Sequence, residues 1–405
     1  MRMRDLELDE FRSFRKLHLL IDRSGFRAIG PNASGKSTIL EAIAMLATTR
    51  SPRTTAEREI AHWESGKELA VPPYARVRGG FERADGDHHV EIGLSLQERG
   101  TSSLRKFVKL DERSVRAVDA VGQLKTVLFS PEDVDLVSGA PSVRRRYLDM
   151  ATSQASREYL RALSRFGRIL EQRNSLLRTL ARNRALQGTS RPAHEMPFWD
   201  SELTSAAVEV LAFRLGAVAS LSARARQHFE LLTGDDTLSL TYTSSRVQLP
   251  ETDLSIQDWQ APPQQFRQLI SAAIARSLGV NQAEELRRGV TLVGPHRDDL
   301  IFSVNGVDLG RYGSRGQQRL AVVAIKLAEL DLLEAAAGES PVLLLDDVLS
   351  ELDVVHRGKI VSALASRNAQ ICVTATDESE LGSQEIAHLP LLRTSAGKVE
   401  HLFPR

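Results

Sequence analysis

Gly30-Pro31-Asn32-Ala33-Ser34-Gly35-Lys36-Ser37 fits G-x-x-x-x-G-K-[ST], and its flanks decide how it folds. Before it, Gly25-Phe26-Arg27-Ala28-Ile29 reads as a β-strand; after it, Thr38-Ile39-Leu40-Glu41-Ala42-Ile43-Ala44-Met45-Leu46 reads as a helix. Glycines at both ends let the backbone curl until consecutive N–H groups face inward. The helix that starts there adds unpaired N–H groups and the positive end of its dipole. Such a loop, from Gly30 through Thr38, suits a triphosphate. Lys36 can reach the β and γ phosphates, and the Ser37 hydroxyl can take a coordination position on Mg²⁺. A chance glycine turn would not need the strand and helix around it.

Near the other end, Val342-Leu343-Leu344-Leu345-Asp346-Asp347 is an apolar run closing on two carboxylates. It reads as a buried parallel strand delivering acid to its C-terminal edge, where open α/β sheets bind ligands. Asp346 is placed to hold Mg²⁺, and Asp347 to orient or deprotonate an attacking water. Alone, the pair could equally be the acidic N-cap of a following helix. Between the two motifs, Tyr312-Gly313-Ser314-Arg315-Gly316-Gln317-Gln318-Arg319 leads into a long helical pattern. Ser314-x-Gly316-Gln317 resembles the signature of ABC-type ATPases, and Ser350-Glu351-Leu352-Asp353 resembles their D-loop. The resemblance implies that each signature caps, in trans, the γ-phosphate held by another subunit.

The chain's 405 residues suffice for one large or two modest domains, and 42% apolar with 26% charged residues is ordinary for a globular protein. A net charge of +1 neither demands nor excludes a polyanion. Cys372 alone cannot form an internal disulfide; it fits a reducing, cytoplasmic setting and buried packing. No secretion signal follows Met1, and no apolar stretch approaches the roughly 18 residues that span a bilayer.

Leu6–Phe11 and Leu17–Asp22 read as the first two strands, and Val77–Val115 as an antiparallel meander turning at Ala84–Asp87. Val127–Phe129 reads as a further core strand. Helix dominates Ser142–Arg184, about Trp199–Leu232 and Gln265–Leu278, whereas Thr237–Tyr242, Thr291–Val293 and Leu300–Val304 have β character. Gln370–Asp377 reads as the last core strand and the switch after it. The expected fold is α/β: an ABC-type ATPase head with an antiparallel β subdomain, plus an inserted, mainly helical lobe. Residues 1–141 and 291–405 would form the head and 142–290 the insertion.

That insertion is rich in arginine: eleven fall within Ser142–Arg184 against Asp149, Glu158 and Glu171. At 3.6 residues per turn, Arg157, Arg161, Arg165 and Arg168 share a helix face. That face is either solvated or a surface for phosphodiester backbone, since unopposed arginines repel unless an anion relieves them.

Over most of its length the chain resembles the RecF family, SMC-like ABC ATPases of bacterial recombinational repair. The resemblance rests on Phe11-Arg12-Ser13-Phe14, Thr49–Thr54, Phe129–Val137 through Arg144–Asp149, Gly294–Leu300, Gly313–Arg319 and Leu344–Asp353. It implies ATP and Mg²⁺ as cofactors, an ATP-dependent homodimer, and binding to DNA at single-strand/double-strand junctions. RecR-like and RecO-like partners, and RecA indirectly, follow from the same resemblance. Lys36 and Asp347 would be catalytic, but Asp347 stands where SMC-like heads carry glutamate and is one methylene shorter, which implies slow hydrolysis used as a switch. The chain departs from the pattern at Ala33-Ser34, Pro52 and Arg315. No glutamine ends the Val127–Phe129 strand to sense Mg²⁺, leaving Ser130 and Glu132 as substitutes. The long interval from Lys36 to Ser314 disfavours a transporter subunit, and neither SMC-length heptads nor a nuclease domain is present. His296-Arg297-Asp298-Asp299 is either a metal cluster or, more simply, a glycine-proline turn capped by acids. Arg50 and Arg53 are the alternative site for DNA.

Overall fold

Val342–Asp346 is buried at every position, as a strand flanked on both edges and covered on both faces must be. It pairs in parallel with Ile371–Ala375 on one side and Thr126–Phe129 on the other. Ile371–Ala375 pairs with Gly25–Ile29, which pairs with Leu391–Ser395, all in parallel; Lys398–Leu402 closes that edge antiparallel. The computed structural model describes residues 1–54, 56–67, 71–97, 103–187, 195–250, 258–348, 353–381, 384–395 and 397–402. It divides the chain into two compact units, Met1–Asp133 with Glu329–Arg405, and Val134–Ala328.

In the first unit, the two expected N-terminal strands and the meander join in one antiparallel sheet. Its order is Phe14–Leu20, Arg2–Phe11, Tyr74–Arg83, Gly86–Gln97, Ser103–Leu110 and Arg113–Val115. The helix Lys36–Thr48 has twelve buried residues, because one apolar core takes side chains from this sheet, the helix and the parallel sheet. A helix covered on all sides needs no polar face. Gln370 ties the first and last thirds of the chain together. Its Oε1 accepts from Met3 N–H at 2.7 Å and its Nε2 donates to the carbonyls of Met3 and Asp22 at 2.8 and 2.7 Å.

The second unit is built on the helices Pro141–Ala155, Arg157–Gln187, Met196–Thr233 and Gln264–Arg288. A three-stranded antiparallel sheet, Val307–Asp308, Asp299–Val304 and Leu238–Thr243, joins them. The unit therefore runs from 134 to 328 rather than over the expected 142–290, since Asp299–Val304 pairs with a strand inside that insertion. The helical character expected over Ser142–Arg184 is carried by two helices, Pro141–Ala155 and Arg157–Gln187. Ser156 is extended, and its hydroxyl accepts the Tyr159 N–H at 3.1 Å. Thr291–Val293, expected as strand, is irregular: the N–H groups of Thr291 and Leu292 go to the side chains of Asn174 and Glu285, both at 2.7 Å. Contrary to the expectation that no stretch is long enough, Met196–Thr233 has the length and apolarity to cross a bilayer. Its most apolar window is 72% buried inside the unit, which accounts for that composition as core.

Candidate functional site

At Gly35 the backbone takes φ 108°, and a Cβ there would lie 2.8 Å from the Phe14 ring, so only glycine fits. A Cβ on Gly30 would lie 2.3 Å from the Thr394 carbonyl oxygen. Between them Ala33 is left-handed at φ 63°, a conformation costing an L-residue roughly 1–2 kcal/mol. The alanine keeps the curl but strains it. Ser34 is buried with its hydroxyl 2.6 Å from that of Thr394. The Lys36 ammonium folds over the loop, donating to the carbonyls of Gly30 and Pro31 at 2.5 and 3.1 Å.

Beside the loop, the Ser37 hydroxyl donates to Asp346 Oδ1 at 2.7 Å, and the Thr374 hydroxyl donates to the same oxygen at 2.9 Å. Strand register puts Asp346 opposite Thr374, one strand away from the strand that enters the loop. Burial pushes the Asp346 carboxyl above its ordinary value, with the Ser37 and Thr374 hydroxyls pulling the other way. A desolvated carboxylate touching a serine hydroxyl at a phosphate loop fits a hard divalent cation, which relieves the buried charge. Asp347 is left-handed at φ 53°, and its N–H donates to Thr374 Oγ1 at 3.1 Å. Thr374 therefore sets the geometry of both acids, a role that its place in an apolar strand gave no sign of. Ser130 donates its N–H to Asp133 Oδ2 at 2.7 Å, and Glu132 is close enough for its charge to oppose ionisation of Asp346.

A cavity of about 580 Å³ opens over the loop, lined by Asn32–Thr38 and Asp347, and beyond them by Arg12, Arg53, Ala61 and Trp63. Arg12 is held by Glu41, a buried acid on the helix after the loop, with nitrogen–oxygen distances of 3.2 and 2.7 Å. Ser51 donates to the same carboxylate at 2.6 Å. Glu41 thus ties the Phe11–Phe14 turn and the Thr49–Thr54 segment to the loop helix. Its signal was visible as the one acid in Thr38–Leu46.

Ser314, Gly316 and Gln317 lie in the second unit, at the start of the helix Arg315–Ala337. Ser314 Oγ accepts the Gln317 N–H at 3.2 Å, and Gln317 Oε1 accepts the Ser314 N–H at 3.0 Å, a reciprocal capping box. All three are exposed, and a Cβ on Gly316 would meet only Ser314 Oγ, 4.0 Å away. Of the D-loop, Asp353 caps the helix Val354–Ala365 by accepting from Val355 and His356 N–H, whereas Ser350 lies outside the described residues.

Arg157, Arg161, Arg165 and Arg168 are exposed on one long helix. Arg165 pairs with Glu202 at 3.0 Å; among the described residues no ion pair engages the other three. The surplus of arginine is smaller than the local count suggests. Arg173 is fully buried between Asp200 and Glu285, at 2.7 and 2.6 Å, and Arg144 pairs with Asp299 at 2.7 Å. The expected glycine-proline turn is there: Arg297 N–H donates to the Gly294 carbonyl at 3.0 Å, and Asp299 Oδ1 accepts the Leu300 N–H at 2.8 Å, while the other acid reaches further. Asp298 accepts from the Tyr242 hydroxyl at 2.9 Å, and Arg214 joins Asp149 to the Pro295 carbonyl. Among the described residues no group of three or more His, Cys, Asp or Glu could hold a metal ion.

A family model described as the RecF/RecN/SMC N terminal domain matches residues 2–388. The DNA replication and repair protein RecF of Thermomicrobium roseum is 44% identical over 403 residues, covering 99% of this chain and 100% of that protein. The chain belongs to the RecF family. RecF of Chloroflexus aurantiacus is 41% identical over 402 residues, 97% of this chain and 98% of that one. The solved structure of the recombination mediator protein RecF-ATP in the RecFOR pathway is similar with TM-score 0.82 at 27% identity, over 99% and 98% of the two chains. An SMC head domain with an extended coiled coil from Pyrococcus furiosus, at TM-score 0.52 and 15% identity over 99% and 96%, shares the fold. The chain thus has the ABC-type ATPase head fold with a helical insertion, as its sequence predicts.

Proposed function

We propose that this chain is an ATP-gated, DNA-binding protein of replication and recombinational repair. The observation that carries the reading is a single cavity lined by the phosphate loop, Lys36, Ser37 and Asp347, with Asp346 bonded to Ser37 beside it. Gly30–Thr38 bind ATP. Lys36 holds the β and γ phosphates, and Ser37 with Asp346 holds Mg²⁺, which would neutralise charge on the phosphates and position them. Asp347 orients the attacking water, and being shorter than glutamate it does so poorly, so hydrolysis is slow and serves to release a switch.

Closure needs a second copy: Ser314, Gly316 and Gln317 are exposed at a helix start, whose positive dipole end suits the γ-phosphate of a facing protomer. Ser350 and Asp353 belong to the same interface. Arg157, Arg161 and Arg168, with Arg165 partly engaged by Glu202, carry the DNA phosphates at a single-strand/double-strand junction. The names of the relatives support DNA replication and repair, and the RecFOR structure supports RecR-like and RecO-like partners; with them the chain would act indirectly on RecA. A cytoplasmic location follows from that role.

Sedimentation with ATP, with ADP and without nucleotide tests the reading. The protein should dimerise with ATP alone, and Lys36→Met should abolish that dimer by removing the cationic anchor. ATP-dependent dimers of Lys36→Met at wild-type concentrations would refute the assignment of the loop.

A further inference from the structure

The cavity over the phosphate loop extends to Trp63, whose side chain is 71% exposed although tryptophan is usually well covered. Its indole stacks on the His62 ring with centroids 3.9 Å apart and planes 26° apart. His62 is itself buried and fixed: its N–H donates to the Glu10 carbonyl at 2.8 Å, and its Nδ1 accepts from Glu64 N–H at 3.1 Å. The residues before it are pinned to the first strand, with Ala61 bridged to Phe11 and Arg12 N–H donating to the Ile60 carbonyl at 2.8 Å. An exposed, pre-ordered aromatic plate therefore borders a cavity whose loop is built for phosphates. A nucleotide seated by its phosphates has an uncharged, planar base to place, and a rigid indole binds a π-face at little entropic cost.

We propose that Trp63 is the platform on which the purine base of the bound nucleotide stacks, backed by His62. The inference rests on the phosphate-loop reading and adds the subsite that separates a nucleotide from a bare polyphosphate. Arg12 lines the same cavity, but Glu41 and the Glu59 carbonyl already occupy its guanidinium, so it borders the base rather than anchoring it.

Calorimetric titration with ATP and with inorganic tripolyphosphate, both with Mg²⁺, tests this on the full chain. Trp63→Ala should weaken ATP at least about fivefold, the lower end for one base on one aromatic ring, and leave tripolyphosphate unchanged. Trp63→Phe should retain most of the ATP affinity. Unaltered ATP binding by Trp63→Ala, as expected if the indole only contacts a second copy, would overturn the proposal. So would equal losses for both ligands. Lys36→Met keeps the two readings apart: it should weaken both ligands. If it leaves both intact while Trp63→Ala still loses ATP selectively, the phosphate-loop assignment fails and the base platform stands.

Discussion

Replacing Thr374 with valine removes one hydroxyl from a buried strand while keeping the side chain's shape. That hydroxyl donates to Asp346 Oδ1 at 2.9 Å and accepts the Asp347 N–H at 3.1 Å. A hydrogen bond to a charged acceptor is worth about 1.5–3 kcal/mol. Losing it disfavours the ionised carboxylate by that amount and moves the Asp346 pKa further up. Burial already holds that carboxyl high, so the hydroxyl's pull is what the variant gives up. A protonated Asp346 cannot hold a cation, so Mg²⁺-dependent ATP binding by Thr374→Val should be weak at acidic pH and recover only at higher pH than in wild type. Calorimetric titration of ATP with Mg²⁺ across a pH series reads the midpoint directly, and the same titration with excess chelator supplies the control. Metal-free binding should match wild type at every pH. Superimposable pH profiles with Mg²⁺ would refute the argument that Thr374 tunes Asp346.

Asp346→Asn should raise the melting temperature of the metal-free protein at neutral pH. The raised folded-state pKa means this group favours folding at low pH and loses that contribution as pH rises through it, leaving a desolvated charge that asparagine lacks; an unchanged or lower melting temperature would count against it. Ser314→Arg should bind ATP as a monomer like wild type yet fail to dimerise in sedimentation, and dimers at wild-type levels would remove the signature from the interface. Reversing Arg157, Arg161 and Arg168 to glutamate should spare dimerisation and shrink the slope of log K for gapped duplex against log salt by roughly 0.7–0.9 per lost contact. An unchanged slope returns that face to solvent and moves the DNA contact toward Arg50 and Arg53. Ala33→Gly should stabilise the apo protein, since it relieves the left-handed alanine at φ 63°, by on the order of 1 kcal/mol in a denaturant titration.

The parts of the site built from local rules were readable in the chain. A glycine-bounded loop between a strand and a helix has one way to curl, and Val342–Leu345 has the composition of a strand covered on both faces. What escaped is what tertiary pairing creates. Thr374 matters because strand register sets it opposite Asp346, and nothing in Ile371–Ala375 marks that position. Arg173 reads as one more cation on an arginine-rich helix, yet it is buried because Asp200 and Glu285, on other helices, meet it there. Charge counted along a segment misses acids that arrive from elsewhere. The irregular Thr291–Val293 has the residues of a strand, but side chains of Asn174 and Glu285 take the hydrogen bonds that a neighbouring strand would have made.

The parallel sheet has a consequence for how the chain is made. Gly25–Ile29 leaves the ribosome long before both of its neighbours, Ile371–Ala375 and Leu391–Ser395. At synthesis rates of about 5–20 residues per second, that strand stays unpaired for on the order of tens of seconds. The Arg2–Val115 antiparallel sheet draws only on strands already translated and can assemble meanwhile. The nucleotide site is therefore completed only after Ile371–Ala375 has been translated. Until then the nascent polypeptide carries a hydrophobic strand with two open edges, a stretch that needs shielding from other nascent chains.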